Sequence, residues 1–253
     1  MLLGYFDSIL MGSLGQIAQT GWYNAATRVI YVATTPASII SMSFFPLISQ
    51  RVWSTKAELQ KAVNLQMAIL LFLAIPIVTG GILLAPQIIE AIYGEQYKAA
   101  GEVLPILLIA GGLTFFCIGL GNLLIAHLRQ GQIFWVNLCA STLNIVLNII
   151  LIPRYSFYGA ASVALISQGV ILLFYIYLCY RYTLVRLVNR NIIPILWIVP
   201  ASSLVMGTVI TKTPMASMPC IVLLAAACAV YLLSIWGIDR ITGRLLRGMV
   251  EGL

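Results

Sequence analysis

Residues 103–128 read VLPILLIAGGLTFFCIGLGNLLIAHL, and this stretch decides the fold class. It contains no Asp, Glu, Lys or Arg, and at 1.5 Å per residue it is long enough as a helix to cross the ~30 Å hydrocarbon core of a bilayer. It shows no strict alternation, so a helix is the way its backbone groups are satisfied in lipid. Working outward, the same reading applies to the charge-free stretches 29–50, 62–89, 130–153, 155–180, 191–211 and 213–238. Met1–Leu14 is apolar but too short to span, is interrupted by Asp7, and lacks the basic start and small-residue cleavage site of a signal peptide. It reads as the tail of a spanning helix whose beginning is missing.

Composition agrees. Charged residues make up 8% of the 253-residue chain, apolar residues 61%, and the mean hydropathy is +1.02. A soluble domain averages roughly 25% charged residues, so a soluble enzyme, a nucleic-acid-binding module and a disordered tail are excluded. The net charge of +7 follows membrane topology. Arg51, Lys56, Lys61, Arg129, Arg181, Arg186, Arg190, Arg240, Arg244 and Arg247 fall on one side of the predicted spans. Lys98, Arg154, Lys212 and Arg28 belong to the other. The bias places the 50–64 loop and the C-terminus in the cytoplasm. The expectation is a multi-pass protein of the cell (plasma or inner) membrane, in contact with membrane lipids and with no nucleic-acid partner.

Little chemistry is left at membrane depth. Among the acidic residues only Asp7 sits in a span, with no carboxylate partner. Cys117, Cys139, Cys179, Cys220 and Cys228 lie in spans without paired spacing and read as small packing residues. His127, at a span end, reads as an interfacial hydrogen-bonding residue. We therefore expect no catalytic residues, no metal site and no cofactor, and a protein that is not an enzyme.

Two polar stripes remain. Arg28 follows Gly21-Trp22-Tyr23-Asn24 and lies two turns, roughly 10 Å, into a helix that begins near Gly21 or Trp22. A cation at that depth either faces a watery cavity or a partner, or snorkels to the headgroups. Asn24 and Tyr31, at i−4 and i+3, share its face and complete a cationic, hydrogen-bonding stripe suited to phosphate or sugar. Asn144 and Asn148 form the second stripe, with Asn137 and Ser141 at compatible spacing; it acts as helix–helix glue or lines a cavity. Prolines within the spans, Pro36, Pro46, Pro76 and Pro105 among them, introduce kinks suited to a transporter that rocks between states.

Three segments together resemble the polysaccharide (O-antigen or teichoic-type) flippases of the superfamily that also holds the multidrug/toxin extrusion transporters and the lipid II flippase. The first runs from Asp7-Ser8-Ile9-Leu10-Met11-Gly12 through Gly21-Trp22-Tyr23-Asn24-Ala25-Ala26 and Arg28 to Phe45-Pro46-Leu47-Ile48-Ser49. The second is Ile92-Tyr93-Gly94-Glu95-Gln96-Tyr97-Lys98-Ala99-Ala100, similar to the family's external loop, followed by Val103-Leu104-Pro105-Ile106-Leu107. The third runs from Asn122-Leu123-Leu124-Ile125-Ala126 through Asn144-Ile145-Val146-Leu147-Asn148 and Ile152-Pro153 to Gly159-Ala160-Ala161.

The resemblance implies an all-α integral membrane protein, a multi-span helical bundle forming the second lobe of a two-lobed transporter of the multidrug-extrusion type. Residues 1–182 would be the C-terminal six-helix lobe with its first helix truncated. Residues 183–253 would supply two additional transmembrane helices and a short cytoplasmic tail. It further implies alternating-access flipping of a polyprenyl-diphosphate-linked oligosaccharide, with the missing N-terminal lobe of the same protein as partner. Arg28 matches the position of an arginine implicated in gripping the diphosphate. The cavity residues expected on this basis are Arg28, Asn24, Tyr31, Asp7, Asn144 and Asn148. The rivals are a multidrug/cation antiporter of the same superfamily, a membrane-embedded glycan polymerase or ligase, and a scaffold that transports nothing.

Overall fold

A computed structural model describes residues 6–183 together with 185, 229, 231 and 233. The described residues form helices and turns: α1 (Phe6–Ser13), α2 (Ile17–Arg51), α3 (Lys56–Leu83), α4 (Ala85–Tyr93), a single 3-10 turn (Glu95–Tyr97), α5 (Lys98–Ala126) and α6 (Gln130–Tyr182). Among the described residues, four segments are long and apolar enough to cross a membrane: Ile17–Arg51, Lys56–Leu83, Glu95–Ala126 and Gln130–Tyr182. The expected spans 191–211 and 213–238, Cys220, Cys228 and the basic tail lie outside the described residues. The described cysteines, Cys117, Cys139 and Cys179, are free.

One expected span is broken in the structure, and two others are joined end to end as expected neighbours. The span expected over 62–89 is interrupted: α3 ends at Leu83, and α4 begins at Ala85 with a proline in its first turn. Proline suits that position because its missing N–H would be unpaired there anyway. The spans expected over 130–153 and 155–180 are the two limbs of α6, which breaks at Ser156 (φ 52°, ψ −134°). Side-chain bonds from Asn144 to Ser167 and from Asn137 to Tyr175 pair residues symmetrically about that break. The limbs are thus an antiparallel hairpin, and Pro153 and Arg154 precede its tip.

Gly159 lies at the hairpin's closest approach. A Cβ there would stand 2.7 Å from the Leu151 carbonyl oxygen, a backbone atom that cannot rotate away. Gly159→Ala is therefore expected to force the limbs apart at a cost of about 1–3 kcal/mol. Gly131→Ala, in the same helix with nothing within 4 Å of its Cβ, should be neutral or slightly stabilising, because alanine loses less backbone entropy in a helix. Thermal unfolding of the two purified variants checks the contrast.

α5 is the axis of the bundle and the most buried of the long helices, while α2 is the least buried. Small residues let α3 and α5 approach closely: Cβ atoms added at Gly112 and Gly119 would fall 2.7 Å from Val78 and 2.8 Å from Leu70. Without water to drive helices together, such close backbone contact supplies much of the packing energy in lipid. The core divides in two. One cluster joins Ile48, Leu70, Phe115, Leu123 and Cys179 near the 52–55 and 127–129 turns. The other joins Met11, Tyr23, Ile89, Leu104 and Ala160 near α1, α4 and the hairpin tip. Arg51, Lys56, Lys61, Arg129 and Arg181 gather at the first end, where the Arg129 guanidinium sits 4.2 Å over the Tyr182 ring.

Candidate functional site

A cavity of about 370 Å³ opens between the two core clusters. Its walls come from α1, α2, α5 and both limbs of α6, and its polar lining includes Asp7, Tyr23, Thr27, Tyr31, Asn144 and Ser167. Tyr23, Thr27 and Tyr31 are spaced four apart, so one face of α2 presents three hydroxyls.

The cavity is bounded on one side by a hydrogen-bonded knot. The Tyr23 hydroxyl donates to Asp7 Oδ2 at 2.9 Å, and Asn148 Nδ2 donates to Asp7 Oδ1 at 2.5 Å. The same Asn148 amide donates to Asn144 Oδ1 at 2.9 Å, and Asn144 Nδ2 donates to Ser167 Oγ at 3.1 Å. Four chain segments, α1, α2 and the two limbs of α6, are tied through these side chains. The two oxygens of Asp7 are held by Tyr23 and Asn148. Asn148 is fully buried, and its Oδ1 has no hydrogen-bond partner. Of the two roles open for the asparagine stripe, the geometry gives Asn148 the glue role and gives Asn144 both. Asn137 bonds Tyr175 across the hairpin at 3.1 Å, and Ser141 lines the cavity.

The α2 stripe is divided between two openings. Arg28 and Asn24 line a smaller cleft of about 260 Å³ with Gly21, Ala25, Tyr93 and Tyr97, whereas Tyr31 lines the larger cavity. The shared face expected of Asn24, Arg28 and Tyr31 is therefore divided: Asn24 and Arg28 open on the cleft, while Tyr31 opens with Tyr23 and Thr27 on the cavity. Tyr31 lies seven residues beyond Asn24, about 10 Å along the helix axis. The helix also starts earlier than expected, at Ile17, which puts Arg28 about 16 Å from its beginning. Trp22 marks the level of the connecting loop, because its indole Nε1 donates to the Gln96 carbonyl at 3.2 Å. Arg28 is exposed, with no hydrogen bond or ion pair among the described residues. Asn24 accepts from Ser8 Oγ at 2.7 Å. His127 Nδ1 lies 2.9 Å from the Leu123 carbonyl, at the end of α5.

Sequence reasoning passed over Tyr23, Thr27, Ser167, Tyr93 and Tyr97. The four-residue spacing of 23, 27 and 31 was a visible signal for the first two. Ser167 carried none, since only the hairpin brings it to Asn144. Among the described residues no group of three His, Cys, Asp or Glu side chains is placed to hold a metal ion.

This architecture is that of a multi-span, all-helical membrane protein. It superimposes on a solved lipid II flippase, MurJ in its inward closed conformation, with a TM-score of 0.74 at 18% identity, covering 89% of this chain and 48% of that one. Residues 1–102 match the family described as polysaccharide biosynthesis protein. The chain is 27% identical over 174 residues to the probable low-salt glycan biosynthesis flippase Agl15 of Haloferax volcanii, covering 66% of this chain and 36% of the relative. It is 26% identical over 160 residues to the capsular polysaccharide biosynthesis protein CapF of Staphylococcus aureus, covering 62% and 40% respectively. Over part of its length the chain is thus similar to proteins named as polysaccharide biosynthesis proteins and flippases. The chain spans about a third of the length of the curated relatives it matches.

Proposed function

We propose that this chain is one lobe of a flippase that moves a polyprenyl-diphosphate-linked oligosaccharide across the cell membrane by alternating access. The observation that carries the reading is Arg28: an exposed guanidinium with no partner among the described residues, beside Asn24 on the least buried of the described long helices, in a fold shared with a lipid II flippase. Diphosphate and sugar cannot enter hydrocarbon without replacement of their water. Arg28 and Asn24 supply donors for the phosphates, and the hydroxyl-lined cavity beside them supplies partners for a polar headgroup. The open face of α2 is the surface on which a complementary lobe would close, and rocking of the two lobes would expose the headgroup to either side.

On this reading residues 1–182 form the lobe and 183–253 add two helices and a tail. The end carrying Arg51, Lys56, Arg129 and Arg181 faces the cytoplasm, as does the C-terminus. The protein works as a transporter and not as an enzyme. Asp7 and Asn148 belong to the frame of the site, and Asn24, Arg28, Tyr31 and Asn144 face the substrate. The lipid tail stays in the bilayer throughout.

The test is depletion of the protein in its host, followed by leaflet-resolved profiling of polyprenyl-linked sugars. Accumulation of one lipid-linked oligosaccharide in the cytoplasmic leaflet, by tenfold or more, is expected and identifies the substrate. Unchanged lipid intermediates with altered sensitivity to cationic drugs would transfer the assignment to a multidrug antiporter.

A further inference from the structure

The segment Ile92–Ala100 plays no part in translocation as described, yet the structure lays it against the α2 stripe. Gly94, at φ 81°, reverses the chain between α4 and the 3-10 turn, a conformation that favours glycine. The Trp22 indole pins the loop through the Gln96 carbonyl. The result sets Tyr93 and Tyr97, whose ring centroids are 5.4 Å apart, beside Asn24 and Arg28 around the 260 Å³ cleft.

Several polar groups here lack an intramolecular partner among the described residues: the Arg28 guanidinium, the hydroxyls of Tyr93 and Tyr97, and the Asn24 amide nitrogen, whose oxygen is the group bonded to Ser8. A cleft that combines unspent donors with two aromatic rings is matched to a ligand with an anionic end and a ring that is apolar on its faces and hydroxylated at its rim. Hexose phosphates have that chemistry. The volume is slightly below the ~300 Å³ at which drug-sized pockets begin, which suits one sugar ring with its phosphate and not a whole oligosaccharide.

We infer that Tyr93 and Tyr97 form a saccharide-recognition subsite that reads the sugar next to the diphosphate while Arg28 and Asn24 hold the phosphate. The inference rests on the flippase reading and adds selectivity to it: the protein discriminates a glycosylated carrier from the bare polyprenyl diphosphate. Aromatic rings provide this at low entropic cost, because each has only two side-chain torsions to freeze.

The experiment uses the full-length protein from its host, in detergent, with two probes: polyprenyl-diphosphate-linked oligosaccharide extracted from that host, and bare polyprenyl diphosphate of the same chain length. Competition binding read by native mass spectrometry should show the wild type preferring the glycosylated lipid by about tenfold. In Tyr93→Leu/Tyr97→Leu the preference should fall to near unity with affinity for the bare lipid retained, whereas Arg28→Ala should weaken both ligands. If the double variant does not fold, Tyr97→Phe, which removes only the hydroxyl, should reduce the preference about threefold. A preference that survives the tyrosine substitutions overturns the subsite and leaves the flippase reading standing. A wild type that neither binds the glycosylated lipid nor translocates it in proteoliposomes overturns both.

Discussion

Arg28→Ala is expected to reduce lipid-linked oligosaccharide translocation by one to two orders of magnitude while leaving the amount of protein in the membrane unchanged. The second half of that expectation follows from exposure. Arg28 donates no hydrogen bond within the described residues and packs in neither core cluster, and substitutions at such positions usually shift stability by less than about 0.5 kcal/mol. The first half follows from charge. A guanidinium–phosphate pair makes charge-assisted, often bidentate hydrogen bonds, each worth about 1.5–3 kcal/mol where water is scarce. Losing one or two of these corresponds to a change of roughly 10- to 100-fold or more. Arg28→Lys keeps the charge but not the planar fork, so it should recover part of the rate and not all of it. Transport in proteoliposomes, beside protein level by fluorescence-detected size exclusion, separates the possibilities. Persistent transport in the alanine variant would remove Arg28 from the site, and a fall in protein level alone would make it structural.

Asn148→Leu should act in the opposite way, on stability first. Asn148 donates to both Asp7 and Asn144, and it is fully buried at the junction of α1 with the hairpin. Leucine has a similar volume, so little cavity is left, but two acceptors lose their donor. An unsatisfied buried polar group costs about 1–3 kcal/mol, and the acceptor at Asp7 is a carboxyl group. Membrane proteins partly soften such losses, with averages nearer 0.6 kcal/mol per bond. A destabilisation of about 2–3 kcal/mol is therefore expected, seen as a fall in melting temperature of roughly 4–12 °C for a chain of this length. Asn137→Ala, which loses an exposed residue's bonds to the Ile133 carbonyl and to Tyr175, should cost well under half as much. Equal melting temperatures for Asn148→Leu and wild type would show that the knot does not hold α1 against α6.

The two variants probe different parts of one site, and their separation reflects what was legible from the chain. Arg28 and Asp7 stood out because a charged residue in an apolar stretch is conspicuous. Their surroundings did not. Tyr23 reads as one aromatic among several until α1 brings Asp7 within 2.9 Å of its hydroxyl. Asn144 and Asn148 appear equivalent at four-residue spacing, yet one lines the cavity and the other is fully enclosed. Tyr31 shares a helical face with Arg28 but opens with Tyr23 and Thr27 on a different space, because the neighbouring helices wall off adjacent rows of α2 separately. The limits of the spans were legible where charges bracket them and not at Leu83–Ala85, where an apolar stretch continues through a break that carries no charge.

The sequence by itself determined the solvent and the class. Uncharged runs of 21 residues or more without strict alternation read as membrane helices, because a helix pairs its backbone polar groups within its own segment. The alternation of charge along the chain then ordered those helices and grouped the basic residues at one end. Only the tertiary structure decided that the apolar stretch 62–89 breaks between Leu83 and Ala85, that Asp7 is clasped by Tyr23 and Asn148, and that Tyr93 and Tyr97 stand beside Arg28. The physical reason is one of range. Solvent preference is a property of each residue and is summed along the chain, whereas a site depends on which side chains from distant segments meet. Asp7 and Asn148 are 141 residues apart in sequence and 2.5 Å apart in space, and only the packing of α1 against the α6 hairpin brings them together.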